Sequence, residues 1–129
     1  MRTLLCVGFL VAATVLSGCS GAAGPVTPSK DDQGRYVINI GPGFHFVPND
    51  AIVPAGAVVI WKNVDQTPHD VTPDDAAAGW GSDGVGNIQP GGSYNHTFSQ
   101  GVYKYHCALH GQSLMSGTLT VSAATASSS

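Results

Sequence analysis

Gly101-Val-Tyr-Lys-Tyr-His-Cys107-Ala-Leu-His110-Gly-Gln-Ser-Leu-Met115-Ser-Gly117 is the stretch on which the reading of this chain turns. Gly101 to Cys107 reads as a strand, and the two-residue period of a strand puts Cys107 inward and His106 outward. An imidazole follows the thiol after three residues, and a thioether follows five later. If the strand ends at Cys107, the loop beyond it folds back and aims His110 and Met115 at one point near the sulfur.

Short strand signals surround this segment. Tyr36 to Ile40, Phe44 to Phe46, Ala51 to Val53, Ala57 to Asn63, Tyr94 to Phe98 and Thr118 to Val121 are rich in β-branched and aromatic residues, with turn residues between them. Val59, Trp61 and Asn63 share one face. No stretch keeps a helical period over ten residues. The pattern predicts an all-β, antiparallel sandwich or barrel. Asp74 to Gly92 is a Gly-rich connection in which Ala76-Ala77-Ala78 suggests one helical turn and Trp80 is placed to cap the core. His45 and His96 are read as surface residues.

The ends read differently. Arg2 precedes an apolar run from Leu4 to Leu16, the length of a signal-peptide core and too short to span a bilayer. It closes on Leu16-Ser17-Gly18-Cys19, which resembles the bacterial lipobox and marks Cys19 for lipidation. Residues 1–18 are therefore expected to be a lipoprotein signal peptide and 19–34 the lipidated Cys with a flexible tether. Residues 35–122 form the folded domain and 123–129 a disordered tail. Two or more acyl chains make a stable anchor, so the expected location is extracytoplasmic, on the membrane surface. Without the leader, four cations face eight anions, a net charge of −4.

Composition narrows the function. Charged residues are 10% of the chain, against about 25% in typical soluble domains. There is no basic stripe, which argues against a nucleic-acid partner. Of the three cysteines, Cys6 leaves with the leader and Cys19 carries lipid, so Cys107 stands alone. A free thiol outside the cytoplasm is oxidised unless something protects it, and a metal would do so.

The ligand set fits that role. His69, in Asn63-Val-Asp-Gln-Thr-Pro-His69-Asp70-Val71, supplies a second imidazole. Two imidazoles, one thiolate and a weak axial thioether hold blue copper. Zinc is the poorer match, because Met is a poor zinc ligand and structural zinc favours several thiolates. A cysteine hydrolase needs an oriented base and an oxyanion hole. A buried Cys with a core Met is the purely structural alternative.

These residues resemble the cupredoxins of the plastocyanin and pseudoazurin type. The resemblance rests on Cys107-x2-His110-x4-Met115, the preceding Gly-x-Tyr-x-Tyr-x-Cys, the following Gly117-x-Leu119-x-Val121, and Phe46-x-Pro48, Val59-x-Trp61-x-Asn63 and His69 in family order. It covers roughly residues 36–122. It implies a Greek-key β-sandwich and one type 1 copper per chain, with His69, Cys107, His110 and Met115 as ligands. It further implies a monomer that is no enzyme and shuttles single electrons between redox partner proteins, with His110 nearer the surface. It places Asn63, Asp70 and Leu109 around the ligands. Asn is common in plastocyanin where this chain has Asp70, and an ionised Asp accepts but does not donate. Its loop tie must then use backbone or hydroxyl donors, while its own N–H bonds the Cys107 sulfur. Plastocyanin-like loops often have Pro before the second His. Leu109 retains an N–H there, which is expected to make a second donor to that sulfur. His106 is an exposed polar residue or an electron-exit residue, at the place of plastocyanin's exposed Tyr. Copper nitrite reductases also carry a His-Cys pair, but this chain lacks their second His after His69. A copper-delivery lipoprotein is the remaining alternative. Such proteins tend to expose Met- and His-rich segments, and the only methionines here are Met1 and Met115.

Overall fold

The computed structural model describes residues 24–124. The leader, Cys19 and the end of the tail lie outside them. Eight strands follow in order: β1 (Tyr36–Ile40), β2 (Phe46–Val47), β3 (Asp50–Pro54), β4 (Val58–Asn63), β5 (Thr72–Pro73), β6 (Ser93–Thr97), β7 (Gly101–His106) and β8 (Ser116–Ser122). They form two four-stranded sheets, β2-β1-β4-β6 and β3-β8-β7-β5. The architecture is an all-β sandwich.

The sheets are mixed rather than purely antiparallel, which corrects the reading from the sequence. β1 pairs with β4 in parallel, Ile38 opposite Trp61, and β3 pairs with β8 in parallel, Ala51 opposite Leu119. The reason is topological. A chain that leaves one sheet, runs through the other and returns arrives in its original direction. Antiparallel pairing is kept where a single loop joins neighbours in one sheet, as residues 107–115 join β7 and β8.

Inward residues of both sheets meet in one core. Ile38, Ile40, Phe46, Val59 and Trp61 come from the first sheet, and Ala51, Val53, Tyr105, Leu119 and Val121 from the second. Trp61 is its centre. Tyr105 packs edge-on at 5.5 Å between ring centroids, Phe98 edge-on at 6.0 Å, and Trp80 stacks at 6.2 Å. Trp80 thus covers the core from the 74–92 connection. The Ala76–Ala78 segment there is a turn closed by Ala78 N–H on the Asp75 carbonyl, not a helical turn. Trp80 also explains His96. Its ring lies 6.3 Å from Trp80 and 4.7 Å from Phe98, so it is half-buried rather than a surface residue. His45 is exposed.

The segment expected to be tether is partly built into the fold. Val26 bridges Ala51 in parallel, its N–H donating to the Asp50 carbonyl and its carbonyl accepting from Ile52. Pro28 is buried. Asp31 then closes a turn, accepting from the backbone of Gln33 and Arg35 and from the Arg35 guanidinium. The Arg35 side chain, foremost, holds its carboxyl down at about 2. Small and proline residues carry little apolar periodicity, so this pairing has no signature in the sequence.

Gly117 shows how tightly β7 and β8 meet. A Cβ there would stand 2.5 Å from Cζ of Tyr105. The Tyr105 ring has no room to retreat, since Phe46 lies 4.8 Å away on one side and Trp61 holds another. Gly117→Ala is expected to destabilise the protein by about 1–3 kcal/mol, the usual cost of overpacking a filled core. Urea denaturation of wild type and variant checks this.

Candidate metal centre

Three ligand atoms meet at one end of the sandwich. His69, Cys107 and His110 each offer an atom, and these lie within 4.8 Å of one another. Nδ1 of His69 is 3.8 Å from the Cys107 sulfur, and Nδ1 of His110 is 3.4 Å from it. Both rings therefore turn the same nitrogen toward the thiol. His69 and Cys107 are fully buried, and His110 is half-buried.

Each position follows from local folding. β7 alternates Tyr103, Tyr105 and Cys107 inward with the exposed Val102 and Lys104 outward. The loop after Cys107 closes on itself. Gly111 and Met115 both turn back: Gly111 N–H donates to the Cys107 carbonyl, Met115 N–H to the Gly111 carbonyl, and Cys107 N–H to the Met115 carbonyl. Gly111 takes φ 91°, open to glycine at little cost. Met115 is thereby buried beside the thiol-bearing residue, 1% exposed. His69 is set by a two-way backbone pair with Ile88. Buried Asn63 fixes that loop, donating from Nδ2 to the carbonyls of Thr67 and Ile88 and accepting the Asp65 N–H at Oδ1.

Asp70 joins these loops. Its Oδ1 accepts from the Thr72 hydroxyl and the Ala108 N–H at 2.7 Å each. Its Oδ2 accepts from Gly86 N–H at 2.9 Å, Leu109 N–H at 3.1 Å and the Cys107 thiol at 3.6 Å. Burial would push this carboxyl up, but the Thr72 hydroxyl and the three N–H groups outweigh it, and it is held below the ordinary range. The Leu109 N–H donates to this carboxylate as well as pulling on the sulfur, a partner that was not expected from the sequence. An anion is the stronger acceptor. The thiol itself is pushed up by burial and by the Asp70 charge, against the pull of nearby N–H groups of Asp70, His110 and Leu109. Burial, then the neighbouring His69, holds the His110 imidazole below its usual range.

Two neighbours were missed from the sequence. Phe44 lies over His110 at 4.5 Å between centroids. Asp65 accepts the Nε2–H of His69 at 2.9 Å. The hydrogen bond to His69, first, and those from Gln66 and Thr67 lower its carboxyl. His106 stands outside the ligand group, with Nδ1 2.6 Å from Asp74 Oδ1 and its side chain 18% exposed.

A buried thiol with two imidazoles converging on it is a donor set that suits copper. The copper-binding plastocyanin/azurin family model matches residues 34–122, which contain all three of these residues. The chain belongs to this family. Chloroplastic plastocyanin of Silene latifolia subsp. alba is 33% identical, with 89% of this chain and 72% of that protein covered. A purple cupredoxin from Nitrosopumilus maritimus superposes with a TM-score of 0.56 at 28% identity, covering 67% of this chain and 98% of that one. A tryptophan-to-tyrosine mutant of amicyanin in its reduced form superposes at 0.60 with 25% identity, covering 76% and 91%. The cofactor of the chain is copper, and the family's role is blue copper electron transfer to redox partner proteins.

Asp70→Ala would leave the N–H groups of Gly86, Ala108 and Leu109 without their acceptor. An unsatisfied buried donor costs about 1–3 kcal/mol, and partial rehydration lowers the sum. The copper-free variant is expected to lose at least about 2 kcal/mol of stability, measured by urea denaturation.

Proposed function

We propose that this protein is a lipid-anchored, extracytoplasmic electron shuttle with one type 1 copper per chain, held by His69, Cys107, His110 and Met115. The observation that carries the reading is the buried convergence of His69 and Cys107 with the half-exposed His110. Copper bound there would supply a one-electron exchange between Cu(II) and Cu(I).

The residues divide the work. Cys107 gives up its proton on binding, since thiolate is the ligand form, and carries the strongest electronic coupling. His69 is locked by Asp65, and Asp70 holds the backbone of the Cys107–His110 loop in place. Met115 would be the weak thioether donor, kept close by the Cys107 N–H on its carbonyl. His110 is the edge that a partner reaches. Phe44, Leu109 and Leu114 are 42%, 45% and 56% exposed, an apolar set on or beside the His110 loop that suits brief, water-excluding contact. His106, one residue from the thiolate ligand and bonded to Asp74, is a second route for the electron. Leu16-Ser17-Gly18-Cys19 supports the anchor. The paucity of methionine supports a shuttle over a copper-delivery protein.

Copper-loaded, oxidised protein is expected to hold one copper per chain. It should show an intense visible band that ascorbate bleaches reversibly, and Cys107→Ala should be colourless. A loaded wild type without that band refutes the site. For the anchor, Cys19→Ala is expected to move the protein from the membrane fraction to the soluble extracytoplasmic or secreted fraction, read by fractionation and immunoblot.

A further inference from the structure

Neutral imidazole has one protonated nitrogen, and the partner of that nitrogen decides which lone pair is left for a metal. At His69 the nearer partner is a carboxylate, and the Thr67 hydroxyl, 3.3 Å from the same nitrogen, gives its own proton to that carboxylate. Asp65 Oδ2 lies 2.9 Å from Nε2, which leaves Nδ1 bare on the side of Cys107, 3.8 Å from its sulfur.

The carboxylate is held ready from several sides. Oδ2 also accepts the Gly43 N–H at 3.2 Å and the Thr67 hydroxyl at 3.2 Å, and Oδ1 accepts the Gln66 N–H at 2.7 Å. The 41–43 turn presses directly on it. Gly41 has φ 85°, and a Cβ there would stand 2.6 Å from Cβ of Asp65. Only a glycine lets the turn come this close. The loop has other ties as well. Asn63 binds the Asp65 N–H and the carbonyls of Thr67 and Ile88, and His69 is paired to Ile88 through its backbone. The Asp65 carboxylate therefore has a task besides holding the loop, and what it touches is the buried ring of His69.

We propose that Asp65 is a positioning residue of the copper centre, fixing His69 in the tautomer that presents Nδ1 and weighting the site toward Cu(II) through its charge. This rests on the reading of the site given above. A carboxylate on the far nitrogen of a ligating imidazole raises its basicity, and losing such a partner typically costs about 10–100-fold in metal affinity. A negative charge favours the more positive ion, so the loss falls chiefly on Cu(II).

Asp65→Asn keeps an oxygen acceptor for His69 and removes the charge, while Asp65→Ala removes both. With Asn, the visible band and the His69 tautomer are expected to survive. Affinity for Cu(II) should fall about tenfold relative to Cu(I), a rise of about 59 mV in potential by voltammetry. With Ala, which leaves Nε2 only the weaker neutral Thr67 hydroxyl at 3.3 Å, nitrogen NMR of the copper-free protein should show His69 as a mixture of tautomers. A loop-holding role alone would change stability but move neither the potential nor the tautomer. The proposal is overturned if wild-type His69 carries its proton on Nδ1, or if Asp65→Asn keeps the band at an unchanged or lower potential. A wild type that binds no copper yet keeps the proton on Nε2 removes the electron-transfer reading and leaves the tautomer lock standing. If Asp65→Ala does not fold, Asp65→Asn decides the question.

Discussion

One buried carboxylate organises the copper end of this molecule. Asp70 gathers the hydroxyl of Thr72, the N–H groups of Gly86, Ala108 and Leu109, and the thiol of Cys107. These donors belong to separate parts of the chain: the start of β5, the Gly-rich connection and the ligand loop. Of these, Thr72 stands in a strand ladder, opposite His106, and Gly86, Ala108 and Leu109 stand in none. A buried anion without partners would be prohibitively costly, so its burial and the convergence of the loops imply one another. The ligand geometry is a consequence, because Cys107 and His110 flank the two residues whose N–H groups it takes.

Below that end, the sandwich contributes rigidity. Trp61 meets Tyr105, Phe98 and Trp80 at once, and Tyr105 sits two residues before the thiol on the same face of β7. Any shift of β7 that displaced Cys107 would drive Tyr105 into Phe46 or Gly117. A metal that changes charge without rearrangement needs this kind of support, since dense cores resist small displacements.

Much of this was legible in the sequence, for a physical reason. Cys107, His110 and Met115 lie within nine residues, and a strand followed by a tight loop has few ways to arrange them. Strand alternation located the inward face of β7, and the β-branched run ending in Trp61 marked the centre of the core. What escaped depends on contacts between distant segments. The Asp65 role needs the 41–43 turn pressed against it. The Leu109 N–H also has the Asp70 carboxylate in reach, which only the folded loops show. The parallel pairs leave no mark on local alternation. β5 is two residues long and contains Pro73, which suits only a sheet edge. Val26 to Arg35 pairs through its backbone, which residue type hardly records.

That last segment bears on how many copies can coexist in a small space. Sheet edges expose unpaired N–H and C=O groups that recruit strands from other molecules. β2 and β5, each an edge, are two residues long and offer little to copy. The five-residue edges are β3 and β6, and on β3 Val26 already occupies the outer side through the Asp50 carbonyl and the Ile52 N–H. The amino-terminal arm thus serves as a built-in guard against intermolecular β-pairing at the β3 edge. Its loss would be felt as aggregation at high local concentration before it was felt at the copper.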